Sequence, residues 1–269
     1  MHVIFPDKQS ILRERFIVPN PICLGEQHLA ASPDVAEHVF YPLALLRAEQ
    51  APVFLKTDTH MTDRGTILAV ARLVEILTGE PQSARQDMLL ARLTEQRQHT
   101  GDLGMKLDPP PSHIEQFALP YWPIKWFHNN LLGGNNGIVD LYFSSDATYS
   151  NRLLWFGDSF GREAARFLSF FFREVVFLRT PFFHPEIFDQ IHPDILITQN
   201  VERYLDSCVP DSNRPPFFMY PYLAGLCYQP PPNFIEAFAA VLSFPRQPYQ
   251  TFIQTVLQPS VELTDGPHA

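Results

Sequence analysis

Cysteine is scarce. The chain has three, Cys23, Cys208 and Cys227. An odd number cannot all pair within one chain, so a disulfide framework is not what holds this fold. There is no Cys-x-x-Cys spacing, and no His-x-x-x-His pair among the ten scattered histidines falls on a predicted helix. Neither a zinc site nor any other metal or cofactor is expected. Long apolar runs are also missing. No segment approaches the roughly 20 residues of a membrane-spanning helix. The first residues, Met1 to Lys8, lack a basic region followed by an apolar stretch, so they are not a signal peptide. Read literally, that predicts a cytoplasmic protein. Positive charge is in deficit, with 20 Lys and Arg against 29 Asp and Glu, a net charge of -9. That argues against nucleic acid and anionic membrane surfaces as partners.

What is present describes a globular protein. Hydrophobic residues make up 45% and charged residues 18%. At 269 residues the chain is long enough for one sizeable core carrying an elaborated insert. The stretch from Arg152 to Arg162 organises the rest. Leu153 to Phe156 read as a fully buried strand, Gly157 permits a tight turn, and Asp158 and Ser159 follow. Ala164, Ala165, Leu168, Phe171 and Phe172 then recur at helical spacing. A strand turning sharply into a helix presents a hydroxyl at the sheet's C-terminal edge, beside free backbone N–H groups. Ser159 is therefore a candidate nucleophile. The structural alternative is that Asp158 or Ser159 only caps the helix.

A serine needs a base. Residues 53–55 look like a short buried strand running into a loop that holds Asp58 and His60, with a helix over 67–77 closed by Gly79. Two residues apart in an extended segment, Asp58 and His60 project to one side. A carboxylate beside an imidazole fixes its tautomer and stabilises the imidazolium, as a serine's general base requires. The structural alternative is a polar surface loop in which Thr62 or Asp63 caps the following helix.

Lys56-Thr57-Asp58-Thr59-His60 before a helix, and Gly157-Asp158-Ser159-Phe160 about a hundred residues later, resemble the alginate O-acetyltransferase (AlgJ/AlgX-like) group of SGNH-hydrolase-like proteins. Phe5-Pro6-Asp7-Lys8-Gln9-Ser10, Gly101-Asp102-Leu103-Gly104 and Val201-Glu202-Arg203-Tyr204 add to the likeness, which spans roughly residues 3 to 205. The resemblance implies a three-layer α/β SGNH-hydrolase-like (flavodoxin-like) domain with a central parallel sheet and the catalytic motifs in permuted order. It implies a Ser-His-Asp triad of Ser159, His60 and Asp58 that moves acetyl groups onto polysaccharide hydroxyls. It also implies the cell envelope, where family members carry a leader or anchor and more fold ahead of the Pro-Asp-Lys strand. Here that strand starts at Met1, and Met61 stands where the family usually has Trp. The negative charge disfavours alginate itself as acceptor, since a polyanion would be repelled unless local Arg or Lys offset it.

The order strand, helix, strand, helix, strand through 153–156, the serine helix, 175–178, 185–191 and 195–198 argues a parallel, doubly wound sheet. Gln199 and Asn200 sit where SGNH hydrolases carry an oxyanion-donating Asn. Arg179, ending the preceding strand, is a further candidate for the substrate or the developing charge. Residues 11–29 look like an extended loop, and helices are predicted over 67–77 and 84–96. Residues 98–150 are dense in Gly, Pro and Asn and read as an irregular insert with short strands near 138–143. Its aromatics include Tyr121, Trp122 and Trp126, which either line a sugar groove or form the insert's own small core. From 209 to 269 the chain is Pro-rich, an extended wrap or an interaction arm with one helix over 234–244. The domain proper is thus expected over 1–208.

Three functions fit. The first is serine-dependent O-acyl transfer from a small molecule or an acyl-carrying membrane protein to a polysaccharide. The second is an esterase using water instead. The third is a non-catalytic polysaccharide-binding or assembly protein of the same fold.

Overall fold

The computed structural model describes residues 1–15, 22–119, 124–131, 135–226 and 228–242. Tyr121, Trp122 and Cys227 lie outside them, as does the end of the helix expected over 234–244. The chain opens with β1 (His2–Phe5), α1 (Lys8–Ile11), α2 (Leu24–Ala31), α3 (Pro33–Ala36), β2 (Val39–Phe40) and α4 (Leu43–Ala48). A long helix, α5 (Asp63–Thr78), is followed by α6 (Ser83–Leu90) and a hairpin of β3 (Glu95–His99) and β4 (His113–Phe117). Then come β5 (Lys125–His128), β6 (Val139–Phe143), β7 (Tyr149–Gly157), α7 (Ser159–Leu168) and β8 (Phe172–Arg179). The described chain ends with α8 (Pro185–Ile191), β9 (Ile195–Val201), α9 (Tyr220–Leu223) and α10 (Pro232–Val241).

Seven strands form one sheet in the order β2-β1-β9-β7-β8-β6-β5. Those from β2 to β8 are parallel to their neighbours, and β6 and β5 add antiparallel at the far edge. The serine strand β7 lies inside the sheet between β9 and β8. Strand alternation splits its apolar run between the two faces. Leu153 and Trp155 join Val3, Phe5 and Phe177 under α5 and α7, where Ile67, Val70, Val74, Ala164 and Leu168 complete the core. Leu154 and Phe156 join Val176 and Leu178 on the opposite face, under Ile187, Ile191, Phe217, Phe234 and Phe238. The result is the three-layer α/β arrangement expected from the sequence.

Several local expectations need correcting. Residues 53–55 are not a sheet strand. The segment folds back on itself instead, with Leu55 N donating to His60 O and Thr62 N to Val53 O, so only the isolated bridge Phe54–Met61 forms. The helix expected over 84–96 stops at Leu90, and residues 95–99 pair with β4 across a full antiparallel register. Residues 98–150 are not irregular throughout, since they supply half the hairpin and two sheet strands. Residues 11–29 hold a helical segment, α2. Within its described part the Pro-rich tail packs onto the sheet and includes short helices. Phe217, Tyr220, Phe234, Phe238, Val241 and Leu242 are buried on the second face of the sheet. Each large apolar side chain buried there contributes about 1.5–3 kcal/mol relative to exposure, which explains why prolines do not keep the segment extended. Among the described residues no helix is long and apolar enough to cross a membrane.

Candidate active site

The C-terminal ends of β1, β9, β7 and β8 converge on one edge of the sheet, and Ser159 stands there as the first residue of α7. The turn that presents it is fully braced. Asp158 caps α7: its Oδ1 accepts from Phe160 N at 2.9 Å, and its Oδ2 accepts from Val201 N at 2.6 Å. Gln199, 2% exposed on β9, accepts from Asp158 N at 3.0 Å and Gly161 N at 3.1 Å through one oxygen. Its amide nitrogen donates back to Asp158 Oδ1. There is no room beside that oxygen, for a Cβ on Gly157 or Gly161 would come within 2.3 or 2.5 Å of it. Arg162 N already bonds Asp158 O within the helix. The N–H of Ser159, the first of α7, is thus left without an acceptor among the described residues, a group free to donate to a bound anion.

Asp58 and His60 reach the same place from the other side. Asp58 Oδ1 lies 2.7 Å from His60 Nδ1, and His60 Nε2 lies 2.8 Å from Ser159 Oγ. With the Nδ1–H donated to the carboxylate, Nε2 is the lone-pair nitrogen that accepts from the serine hydroxyl. The His60 backbone N–H also donates to Asp58 Oδ1. The imidazole packs against Phe160, ring centres 5.1 Å apart. Asp58 is 7% exposed. Burial alone would raise its pKa, but the hydrogen bonds from His60 and from His99 outweigh burial and hold the carboxyl well below its usual range. Burial alone would lower the pKa of His60. The hydrogen bond and charge of Asp58, helped by Glu163 and Asp102, outweigh it and hold the imidazole above its ordinary value.

The loop carrying this pair is held by remote side chains. Lys8 Nζ donates to the carbonyls of Leu55, Lys56 and Asp58 at 2.7, 2.9 and 3.0 Å. From the β3–β4 hairpin, Glu115 accepts from Lys56 N, and Asp102 accepts from both N and Oγ1 of Thr59. Leu103 N and Gly104 N both donate to Thr57 O. His99 Nε2 lies 2.9 Å from Asp58 Oδ2. Gly101 sits so close that a Cβ there would come within 2.3 Å of the Asp58 Cβ. Sequence reasoning quoted Lys8, Gly101 and Asp102 only as parts of likeness motifs, and it missed His99 and Glu115. The one usable signal was the position of Gly101-Asp102-Leu103-Gly104 directly after His99.

The other candidates divide. Both ends of the Gln199 amide bond to the Ser159 turn, the oxygen to two N–H groups and the nitrogen to Asp158 Oδ1, so its first task here is to brace that turn. Asn200 and Arg179 are partly buried, and neither side chain has a hydrogen bond or ion pair among the described residues. Arg179 pairs in register with Gly157, one strand across from the serine turn. Its burial lowers its pKa, while the Asp158 carboxylate opposes that fall. Trp126, on β5, is 51% exposed and so is not core. Its indole N–H donates to Asp140, whose other oxygen holds Arg162 on α7. Trp126, Tyr142, Arg162 and Arg166 line a cavity of about 670 Å³ along α7. Thr62, rather than Asp63, caps α5 through Gly65 N. Asp58, His60 and Asp102 offer ligand atoms within 4.8 Å of one another. Each of those carboxylate oxygens already accepts a hydrogen bond from His60, His99 or Thr59.

No protein-family model and no curated protein matches the chain. Solved structures do. PatB1 of Bacillus cereus, in a structure with a sulfonyl adduct, is similar over 81% of this chain and 83% of its own, at 11% identity and a TM-score of 0.58. A DHHW family protein from Eubacterium siraeum is similar over 76% and 78%, at 12% identity and a TM-score of 0.50. The O-acetyltransferase domain of Pseudomonas putida AlgJ covers 83% and 82%, at 18% identity and a TM-score of 0.49. At these identities the likeness is one of fold. The chain has the SGNH-hydrolase-like α/β architecture, and nothing in the likeness assigns it to the AlgJ/AlgX-like group.

Proposed function

We propose that this protein is a serine-dependent O-acyltransferase whose acceptor is a sugar hydroxyl of a polysaccharide. The observation that carries the reading is the unbroken chain Asp58–His60–Ser159, with hydrogen bonds of 2.7 and 2.8 Å, ending at the N-terminus of α7, whose first N–H has no acceptor among the described residues. Ser159 Oγ attacks the acyl carbonyl of the donor and passes its proton to His60 Nε2. Asp58 holds the tautomer and stabilises the imidazolium. The oxyanion rests on the Ser159 N–H, with Arg179 or the Asn200 amide as second donor. Collapse of the intermediate expels the donor's leaving group, which takes the proton from His60. The acceptor hydroxyl then gives its proton to His60 and attacks the serine ester, and as the Oγ–acyl bond breaks His60 returns that proton to Ser159 Oγ.

The motif resemblance to the alginate acetyltransferase group supports acetyl as the acyl group. The exposed Trp126 beside the α7 cavity supports a sugar-binding surface, with Tyr121 and Trp122 as further candidates. The donor is a small acyl ester or an acyl-carrying membrane protein. One observation favours the esterase as a second reading: Ser159 and His60 are both partly exposed, so water can compete with the acceptor.

Intact-mass and peptide spectrometry after exposure to p-nitrophenyl acetate, and separately to a sulfonyl fluoride, tests the reading. The wild-type protein should gain one group on the Ser159 peptide, and Ser159→Ala should gain none. A folded wild-type protein that never labels would favour the non-catalytic binding protein. Deacylation that quickens with oligosaccharides and yields acylated sugar would separate transfer from hydrolysis.

A further inference from the structure

Asp58 has two carboxylate oxygens, and the proposed mechanism uses only Oδ1. A carboxylate hinged at one single bond turns easily, because such terminal torsions are broad. Left with donors on one oxygen, it could rotate away from the imidazole or swap its oxygens. In this protein the second oxygen is taken. His99, the last residue of β3, brings Nε2 to 2.9 Å from Asp58 Oδ2. The His99 ring is itself set edge-on against Phe117 of β4, centres 5.9 Å apart. The carboxylate is thus gripped from both sides by imidazoles belonging to different parts of the chain.

We infer that His99 is a positioning residue of the acyl-transfer site, donating its Nε2–H to Asp58 Oδ2 so that Oδ1 stays on His60. The inference rests on the proposed reading of Ser159 and His60. It makes two claims that a purely structural role would not. First, loss of the donor should act on the chemical step, because the group it aligns is the general base and not the substrate. Second, loss of the donor should leave more of the carboxylate's negative charge to His60 and stabilise the imidazolium further. The acid limb of the pH–rate profile should then move to higher pH. The other charged groups around the pair are Lys8 on α1, Asp102 in the hairpin loop, Glu115 on β4 and Glu163 on α7. None of them changes when His99 is substituted, so they do not produce the shift. Nor does the loop lose its anchors, since Glu115, Asp102, Leu103 and Gly104 still hold residues 56–59.

The test uses two variants of the full chain. His99→Phe keeps a ring against Phe117 and removes the donor. His99→Gln carries an amide N–H to nearly the place of Nε2. With a small activated ester, His99→Phe should lower kcat by about 10- to 100-fold, the scale of a misaligned catalytic group, with KM nearly unchanged. Its acid limb should rise in pH, and an NMR titration of the His60 ring should show the same direction. His99→Gln should recover most of kcat. Unchanged turnover and profile in His99→Phe would overturn the inference. So would equal losses in both variants that follow a fall in melting temperature. The NMR titration separates this failure from that of the reading beneath it. If wild-type protein forms no Ser159 adduct, the acyl-transfer reading falls whatever the His60 titration shows.

Discussion

The two halves of the site are built in opposite ways. Ser159 is presented by regular structure. An interior strand, a capped helix and a neighbouring strand fix its turn, and the braces, Asp158 and Gln199, belong to those same elements. Asp58 and His60 stand on no strand of the sheet. Their loop is a fold-back with one bridge, and its shape is set by Lys8 and by the β3–β4 hairpin. A nucleophile on this edge needs little beyond strand, turn, helix and the neighbouring strand, which are regular and cooperative. A general base aimed at it needs side chains collected from elsewhere. The serine side should therefore fail only when the fold fails, and the base side should fail while the fold stands.

The hardest blow to the base side is Asp58→Asn. The hydrogen-bond pattern around an Asn favours the wrong His60 tautomer, so turnover should drop by about 10³- to 10⁴-fold with the fold retained. A kinetic assay beside circular dichroism checks this. The same substitution tests the electrostatics. His60 is held above 6.5, so its contribution to stability is complete below that pH and is lost as pH rises through the folded value. Asp58 is held below 3.8, so the same interaction is present above that pH and is lost as pH falls through the folded value. Between those limits the pair should stabilise the wild type most. On going from pH 6 to pH 9 the wild-type melting temperature should fall more than that of Asp58→Asn. Parallel curves would mean that the pair is not coupled as the geometry says.

Next in size is Gly101→Ala. The added methyl meets backbone and Cβ atoms of Thr57 and Asp58, none of which can swing aside, so the loop must shift by an ångström or so. A misplacement of that order costs about 10²-fold in rate. Melting should change little by comparison, because the hairpin can separate from the loop without opening the core. Gly161→Ala, on the serine side, should do the reverse. Its methyl strikes Gln199 and Trp155 inside the braced turn, so expression and melting should suffer together with activity. Melting temperatures and turnover measured for both variants would invert the comparison if Gly101→Ala proved the less stable.

Lys8→Met comes third. The ammonium gathers three carbonyls that would otherwise diverge; burial lowers its pKa, and the charges of Asp58, Glu115 and Asp102 oppose that fall. A methionine fills the same volume with no donor. Turnover on a small ester should fall by about tenfold, the effect of losing a support rather than a reacting group. Lys8→Arg should not restore it, since a planar fork cannot reach three convergent oxygens as an ammonium does.

This asymmetry also explains what could be read from the sequence. The serine junction was legible because an apolar run and a helical repeat lie within twenty residues of each other. Asp58 and His60 were legible as a pair because they are two apart. Their supports were not, because they come from 41 to 59 positions away and reach the loop as single side chains with no sheet register to place them. Gln199 is legible by its place at the end of a strand, but its bracing of the serine turn is not. Only the packed turn shows that its oxygen is already shared by two N–H groups. The antiparallel strands β5 and β6 were obscured by Gly- and Asn-rich stretches between them, and the tail by its prolines. In both cases the deciding contacts are tertiary.

The smallest effect on activity should come from the residue nearest His60 that belongs to the helix rather than the loop. Thr62 caps α5, its hydroxyl accepting from Gly65 N at 3.1 Å and lying 3.0 Å from Pro52 O, to which it donates. Thr62→Ala removes one cap from a 16-residue buried helix, a loss of about 1 kcal/mol. Thermal or denaturant unfolding should show it. The loop itself keeps Lys8, Asp102, Glu115 and His99, none of which bonds to Thr62. Turnover on a small activated ester should therefore stay within about twofold of wild type, since a local change that leaves the aligned groups alone has little to act on. A variant that lost turnover in step with stability would show that the loop takes its shape from α5. The base side would then be built from regular structure after all, and the contrast between the two halves would be one of degree.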